Sequence, residues 1–275
     1  MSSKKPFITI ITCTRNSDHF LNACLNSVKL QTYRDFEHIF IDGESTDKTR
    51  DIIKNYYPEP KIITQSPQGI YPAFNEGLRQ ASGDIIGFLH SDDIFSDFDC
   101  LQRIAAAFIK NKDLSYYCSK MIIYDKNLIY PFASLGAPPH IRSFKELLYS
   151  STYFAHPTYY CRASIIKKVG LFNENYHLAA DIDWLKRLEK LSLPYFFDPK
   201  PLVKFRSDGS TATHYLLALK EEFIIQRRYD GLSIHLFLIY SWHFIRRLSR
   251  LILITLGLES LITYFRKLIL KSFNN

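Results

Sequence analysis

The sequence predicts an α/β protein built on a mainly parallel central sheet flanked by helices, with a helical extension at its C-terminal end. Three observations carry that expectation. Short β-branched apolar runs alternate with helical periodicity through the first 110 residues. Two of those runs end on acids, Asp42 and Asp92–Asp93. The last 45 residues combine broken apolar runs with six basic residues against the single acid Glu259. Alternating strands and helices at this spacing build parallel sheets, whose ligands bind beyond the carboxyl ends of the strands.

Phe7 to Cys13 reads as a buried strand. Leu21, Leu25 and Val28 recur at helical spacing, which predicts a helix from Asp18 to Leu30. Phe36 to Ile41 is a second strand, and Ser45, Thr46 and Asp47 are capping types ahead of a helix with Ile52, Ile53 and Tyr56 on one face. Lys61 to Thr64 is a third strand. Pro72 to Ala81 is a helix opened by proline in its first turn, and Ile85 to Leu89 is a fourth buried strand. A helix from about Phe98 to Lys110 completes the alternation.

Beyond Leu114 the pattern loosens. Tyr116 to Tyr124 and Leu128 to Phe132 read as strands about a turn at Asp125–Lys126–Asn127. Phe144 to Tyr149 reads as a short helix, Tyr153 to Cys161 as extended chain around His156–Pro157, and Asp181 to Leu191 as a helix. The expected division is residues 1–230 as the catalytic domain, with a nucleotide-binding half (1–110) and an acceptor-binding half (111–230), followed by a basic amphipathic tail at 231–275.

The net charge of +8 predicts an anionic partner: nucleic acid, a phosphorylated small molecule or acidic lipid. Its concentration in the apolar tail, rather than in a polar groove, favours a lipid surface over nucleic acid. Leu261, Phe265 and Leu268 share one helical face there. No apolar run reaches the roughly 20 residues of a membrane span. Five scattered cysteines with no CxxC pair argue against a disulfide scaffold or a zinc site. With a polar N-terminus lacking a secretory apolar core, they point to a cytoplasmic protein lying peripherally on the inner face of the membrane.

Three segments offer chemistry. Asp42–Gly43–Glu44–Ser45–Thr46–Asp47 ends a strand with an acid able to accept hydrogen bonds from a nucleobase or ribose; by itself it is also an ordinary capped strand-turn-helix. His90–Ser91–Asp92–Asp93 puts paired acids where a hard divalent cation wants oxygen ligands; by itself it is also a polar turn. Asp181, after Ala179–Ala180, suits a general base and equally a helix cap. Trp184 suits sugar stacking or a core. His156 suits an acceptor pocket or a structural role. Arg206, with Asp208–Gly209–Ser210, suits a flexible loop over a diphosphate or a surface turn.

In order and spacing these segments, with Thr14–Arg15–Asn16, Gln31–Thr32–Tyr33, Phe74–Asn75–Glu76–Gly77–Leu78, Ala81–Ser82–Gly83–Asp84 and His156–Pro157 followed by Arg162, resemble family 2 of the glycosyltransferases over roughly residues 6 to 210. The resemblance implies the GT-A nucleotide-diphospho-sugar transferase fold and an inverting sugar transfer. It implies nucleotide and donor contacts at Thr14, Asn16, Asp42 and Asp92, a divalent metal (Mg2+ or Mn2+) at Asp92 and Asp93, and Asp181 as the base. It implies a nucleotide-sugar donor, a UDP-sugar first, and a saccharide or lipid-linked acceptor in surface polysaccharide biosynthesis. Two positions depart from the family pattern: His90 stands where its metal motif begins with Asp, and Ala180 where a Glu precedes the base. Two other functions stand against this reading. A sugar-phosphate nucleotidyltransferase calls for a Gly-rich loop, which Thr12 to Asn16 lacks; a non-catalytic carbohydrate- or membrane-binding module would have no need of the acids.

Overall fold

The computed structural model describes residues 5–125, 127–136, 155–207 and 214–258. The expected helix at Phe144–Tyr149, the start of the extended segment at Tyr153, the Asp208–Gly209–Ser210 loop and the tail from Glu259 onward lie outside them.

The first half follows the expected alternation closely: β1 (Ile8–Thr14), α1 (Asp18–Lys29), β2 (Phe36–Asp42), α2 (Thr49–Tyr56), β3 (Lys61–Thr64), α3 (Ile70–Gln80), β4 (Ile85–Phe88), a two-residue β5 (Ile94–Phe95) and α4 (Cys100–Lys110). The second half contains β6 (Tyr116–Tyr124), β7 (Pro131–Leu135), a 3-10 turn at His156–Thr158, β8 (Tyr160–Arg162), α5 (Ala163–Val169), α6 (Ala180–Lys190), β9 (Tyr195–Arg206), α7 (Tyr215–Asp230) and α8 (Ile234–Thr255).

One sheet runs β3-β2-β1-β4-β8-β6-β9-β5, with β7 paired to β6. Its first four strands are parallel, so Thr14 and Asp42 sit side by side at neighbouring carboxyl ends. From β8 onward the sheet is mixed: β8 is antiparallel to β4 and β6, while β9 is parallel to β6. Alternate strand residues feed two cores, as the two-residue period requires. Ile8 and Ile10 pack with α1 and α4, whereas Ile11, Ile86 and Phe88 pack with α3 and α6.

Two local expectations are corrected. The strand expected at Leu128–Phe132 begins at Pro131. Leu128 takes a positive φ of 57°, and the Asp125 carboxylate accepts the Ile129 and Tyr130 N–H groups, so the turn uses donors that a ladder would need. The chain around His156–Pro157 is a tight turn rather than extended. Pro157 fits the first turn of a helix, and the Ala155 carbonyl accepts both the Thr158 N–H and its hydroxyl.

No described helix is long and apolar enough to cross a membrane. In α8, Leu236, Ile239 and Tyr240 are buried in a small cluster with Leu219 of α7. The opposite side of α8 exposes Ile234, Phe237, Leu238, Trp242, Ile245, Leu248 and Ile252.

Candidate active site

The carboxyl ends of β1, β2 and β4, the start of α3 and the start of α6 enclose a cleft of about 510 Å³. Thr14, Arg15, Asn16 and Gly43 form one side, and His90, Ser91 and Asp92 another. Tyr71, Phe74, His156, His177, Leu178 and Asp181 close the third. Segments as far apart in sequence as Cys13 and Phe205 thus meet in one place, where strand ends open a crevice.

The donor side is pre-shaped by Asp42. Its side chain is fully buried beside Thr14, and it accepts bonds from Thr14 Oγ1 (2.9 Å), Ser45 Oγ (2.6 Å), Ser45 N (3.0 Å) and Arg50 Nε (2.6 Å). Burial pushes this carboxyl up, but the Ser45, Arg50 and Thr14 donors outweigh it and hold the group below the ordinary range. Both oxygens are therefore engaged within the protein, and Asp42 shapes the cleft through the residues it holds. Asn16 takes a left-handed φ of 50°, a conformation its type tolerates, and its Oδ1 accepts the Thr46 N–H at 2.9 Å. Its own N–H donates to Ser45 Oγ.

The turn after β4 gathers His90, Asp92 and Asp93, whose ligand atoms lie within 4.8 Å of one another. Asp92 lines the cleft, while Asp93 is fully buried. One Asp93 oxygen accepts the Arg206 N–H at 3.0 Å; the other, with His90 Nε2, is buried without a hydrogen-bond partner. Burial, then the Asp92 charge, pushes the Asp93 carboxyl well up. Burial also holds His90 neutral, its pKa lowered. Asp93 Oδ2 lies 3.6 Å from His90 Nδ1, beyond hydrogen-bond reach, and buried polar atoms left so beside an acidic pair fit a divalent cation, which would offset the like-charge repulsion.

Asp181 is the second residue of α6, one position inside the helix rather than its cap. Its carboxylate accepts Tyr71 Oη–H at 2.9 Å. Burial raises its pKa to about 6; the Tyr71 bond opposes that rise and the Glu221 charge adds to it. A carboxylate tuned to near neutral pH suits proton abstraction.

The remaining expected residues separate. His156 lines the cleft, stacked on Phe74 with ring centroids 5.4 Å apart, and burial lowers its pKa to about 3. Trp184 is not among the cleft residues. Its ring packs against Phe172 in the core and its Nε1–H donates to the Gly170 carbonyl at 2.7 Å, so its ring face and its one donor are both taken up within the protein. Arg206 closes β9 rather than standing in a loop. It is buried, its guanidinium lies 3.8 Å from the Phe20 ring centroid, and its Nε–H donates to the Asp92 carbonyl, so it braces the acidic turn from behind. Sequence reasoning missed Tyr71, His177 and Glu221. Tyr71 had a usable signal, a hydroxyl just after Gly69 at a helix start facing the cleft; the other two had none, since their roles arise from contacts across α6 and α7.

A sequence model described as glycosyl transferase family 2 matches residues 9–170. A PGL/p-HBAD biosynthesis glycosyltransferase of Mycobacterium tuberculosis is 31% identical over 183 residues, covering 65% of this chain and 68% of that protein. An uncharacterized glycosyltransferase of Rickettsia typhi is 27% identical over 226 residues, 79% of this chain and 69% of that one. Among solved structures, S. aureus TarS 1–349 superimposes with a TM-score of 0.61 at 20% identity, covering 88% of this chain and 72% of that one. The Pyrobaculum calidifontis mannosyltransferase in complex with GDP-Man and Mn2+ gives 0.61 at 16% identity, covering 88% and 70%. With its acids gathered at the strand ends of such a fold, this chain belongs to glycosyltransferase family 2 and is a GT-A glycosyltransferase.

Proposed function

We propose that the protein transfers a sugar from a UDP-sugar to a hydroxyl of a saccharide or lipid-linked acceptor, with inversion, in building a surface polysaccharide or glycolipid. The observation that carries this reading is the single cleft in which Asp181, raised to about 6, faces the same space as Asp92 and the Thr14–Asn16 turn. Solved relatives of the same fold bind nucleotides: TarS with UDP and with UDP-GlcNAc, the mannosyltransferase with GDP-Man.

In the proposed reaction Asp181 takes the proton of the acceptor hydroxyl. The oxygen's electron pair forms the new bond to the anomeric carbon as the bond to the diphosphate oxygen breaks, and the nucleoside diphosphate leaves. Thr14, Asn16 and the Gly43 turn hold the nucleotide, and His156 with Phe74 walls the acceptor side. Asp92, with Asp93 and His90, would hold Mg2+ or Mn2+, which supplies positive charge against the departing diphosphate. Tyr71 steadies the base through its hydroxyl.

Residues 231–275 are proposed to rest on the inner face of the cell membrane. The exposed apolar side of α8 and the basic residues of the tail support that placement. Calorimetry with UDP, GDP and dTDP, each with and without Mn2+, tests the donor site. Metal-dependent binding of UDP is expected; a folded sample that binds none of the three removes the donor reading.

A further inference from the structure

The helix that carries the proposed base has no cap of its own. Its N-cap is Ala179, which makes no side-chain cap bond, and Ala180 follows; the Ala179 carbonyl takes the Ile182 N–H (3.1 Å) and the Asp183 N–H (3.3 Å). The turn that leads into it is held from another element. Glu221, buried in α7, accepts the N–H of His177 (2.9 and 3.1 Å, one to each oxygen), of Leu178 (2.9 Å) and of Ala179 (3.0 Å). Three consecutive backbone donors converging on one carboxylate form an anion nest. The two helices are tied further along their length. Tyr229 Oη–H donates to Asp183 at 2.9 Å, and Lys186 pairs with Asp230 at 2.8 Å.

We infer that Glu221 is a positioning residue for Asp181: it holds the 177–179 turn in the one geometry that aims the base carboxylate across the cleft. The inference rests on the reading of Asp181 as the base. Ala180 has no polar side chain to offer there, and Glu221 brings a carboxylate to the turn before it from a helix about 40 residues later. The charged and titratable groups that act on Asp181 or share its cleft are Tyr71 from α3, Glu221 from α7, His177 in the preceding turn, and Arg15, His90, Asp92 and His156 on the cleft walls.

The test uses the full chain and two readouts. Carbon-13 NMR of the side-chain carboxyls follows the Asp181 titration, with Asp181→Asn identifying its resonance. Nucleotide release from UDP-GlcNAc and from GDP-mannose with Mn2+ follows turnover. In Glu221→Gln, Asp181 is expected to become a stronger acid by about threefold or more, because a like charge has gone. Its kcat is expected to fall by about tenfold with donor KM within about twofold, since the donor wall is untouched and only the base is misplaced. Glu221→Asp keeps the charge but withdraws it by one methylene; kcat should fall while the Asp181 titration stays near that of the wild type. Wild-type titration and kcat in a folded Glu221→Gln protein overturn the inference. If Glu221→Gln does not fold, wild-type kcat in Glu221→Asp overturns it. Full turnover in Asp181→Asn would instead sink the base reading, and the NMR comparison would still stand.

Discussion

At the scale of single residues, the cleft depends on how burial sets charge. Asp181 sits one residue into a helix, buried, and bonded to a tyrosine hydroxyl that is itself a poor proton donor because burial pushes it far up. In its proposed role as the base Asp181 must be ionised to work, and its raised pKa means that the ionised fraction grows as pH rises through about 6. The rate under donor saturation is therefore expected to show an acid limb near that pH, and kcat should be lost below it. Asp181→Asn should lower kcat by about 100-fold or more with the nucleotide affinity retained; near-normal turnover in the folded variant would exclude it as the base. Tyr71→Phe removes a bond that holds the Asp181 pKa down, so its acid limb should move to higher pH. An unchanged limb would mean that the hydroxyl does not act on the base.

At the scale of elements, the site is precise because α3 lies hard against β1. A Cβ added at Gly77 would overlap Ile11 Cγ2, and one added at Gly87 would overlap the ring of fully buried Tyr160. Gly77→Ala should cost about 1–3 kcal/mol of stability, seen as a lower Tm, because a packed core cannot yield to an inserted methyl. Tm equal to that of the wild type would show that α3 can shift on the sheet. The same close approach carries Tyr71 and Phe74 from α3 to the cleft. The acidic turn after β4 is braced in a comparable way. Arg206 holds it through its backbone and guanidinium, and the Gln31 side chain ties α1 to α4 by donating to the Asp97 carbonyl and accepting the Leu101 N–H.

At the scale of the whole molecule, α7 links α6, which carries Asp181, on one side to α8 on the other, so the apolar stripe of α8 lies two helices away from Asp181. Flotation with vesicles containing anionic lipid should recover the intact chain and lose a chain ended after Asp230. Raising the salt should weaken recovery, since screening acts on the basic residues and not on the apolar stripe. Equal recovery of both forms would place any membrane contact elsewhere.

By itself the sequence determined the parallel half of the sheet and the family, and it put Thr14, Asn16 and Asp92 at or just beyond strand ends. These are set by local order: strands end on polar residues, and in a parallel sheet such ends gather on one edge. The turn at Gly43 to Thr46 was legible for the same reason. Only the tertiary structure decided which neighbours each side chain meets. Asp42 looked free to reach a nucleobase, yet its oxygens are engaged by Thr14, Ser45 and Arg50. Trp184 looked able to stack on a sugar, yet its ring packs on Phe172 and its Nε1–H is bonded to the Gly170 carbonyl. Arg206 became a brace once β9 carried it behind the acidic turn. Glu221 carried no signal at all, because a carboxylate that holds the turn before a helix some 40 residues away leaves no local spacing to read. Residue type and order are properties of the chain, whereas partners across elements exist only once packing has brought distant segments within hydrogen-bond reach.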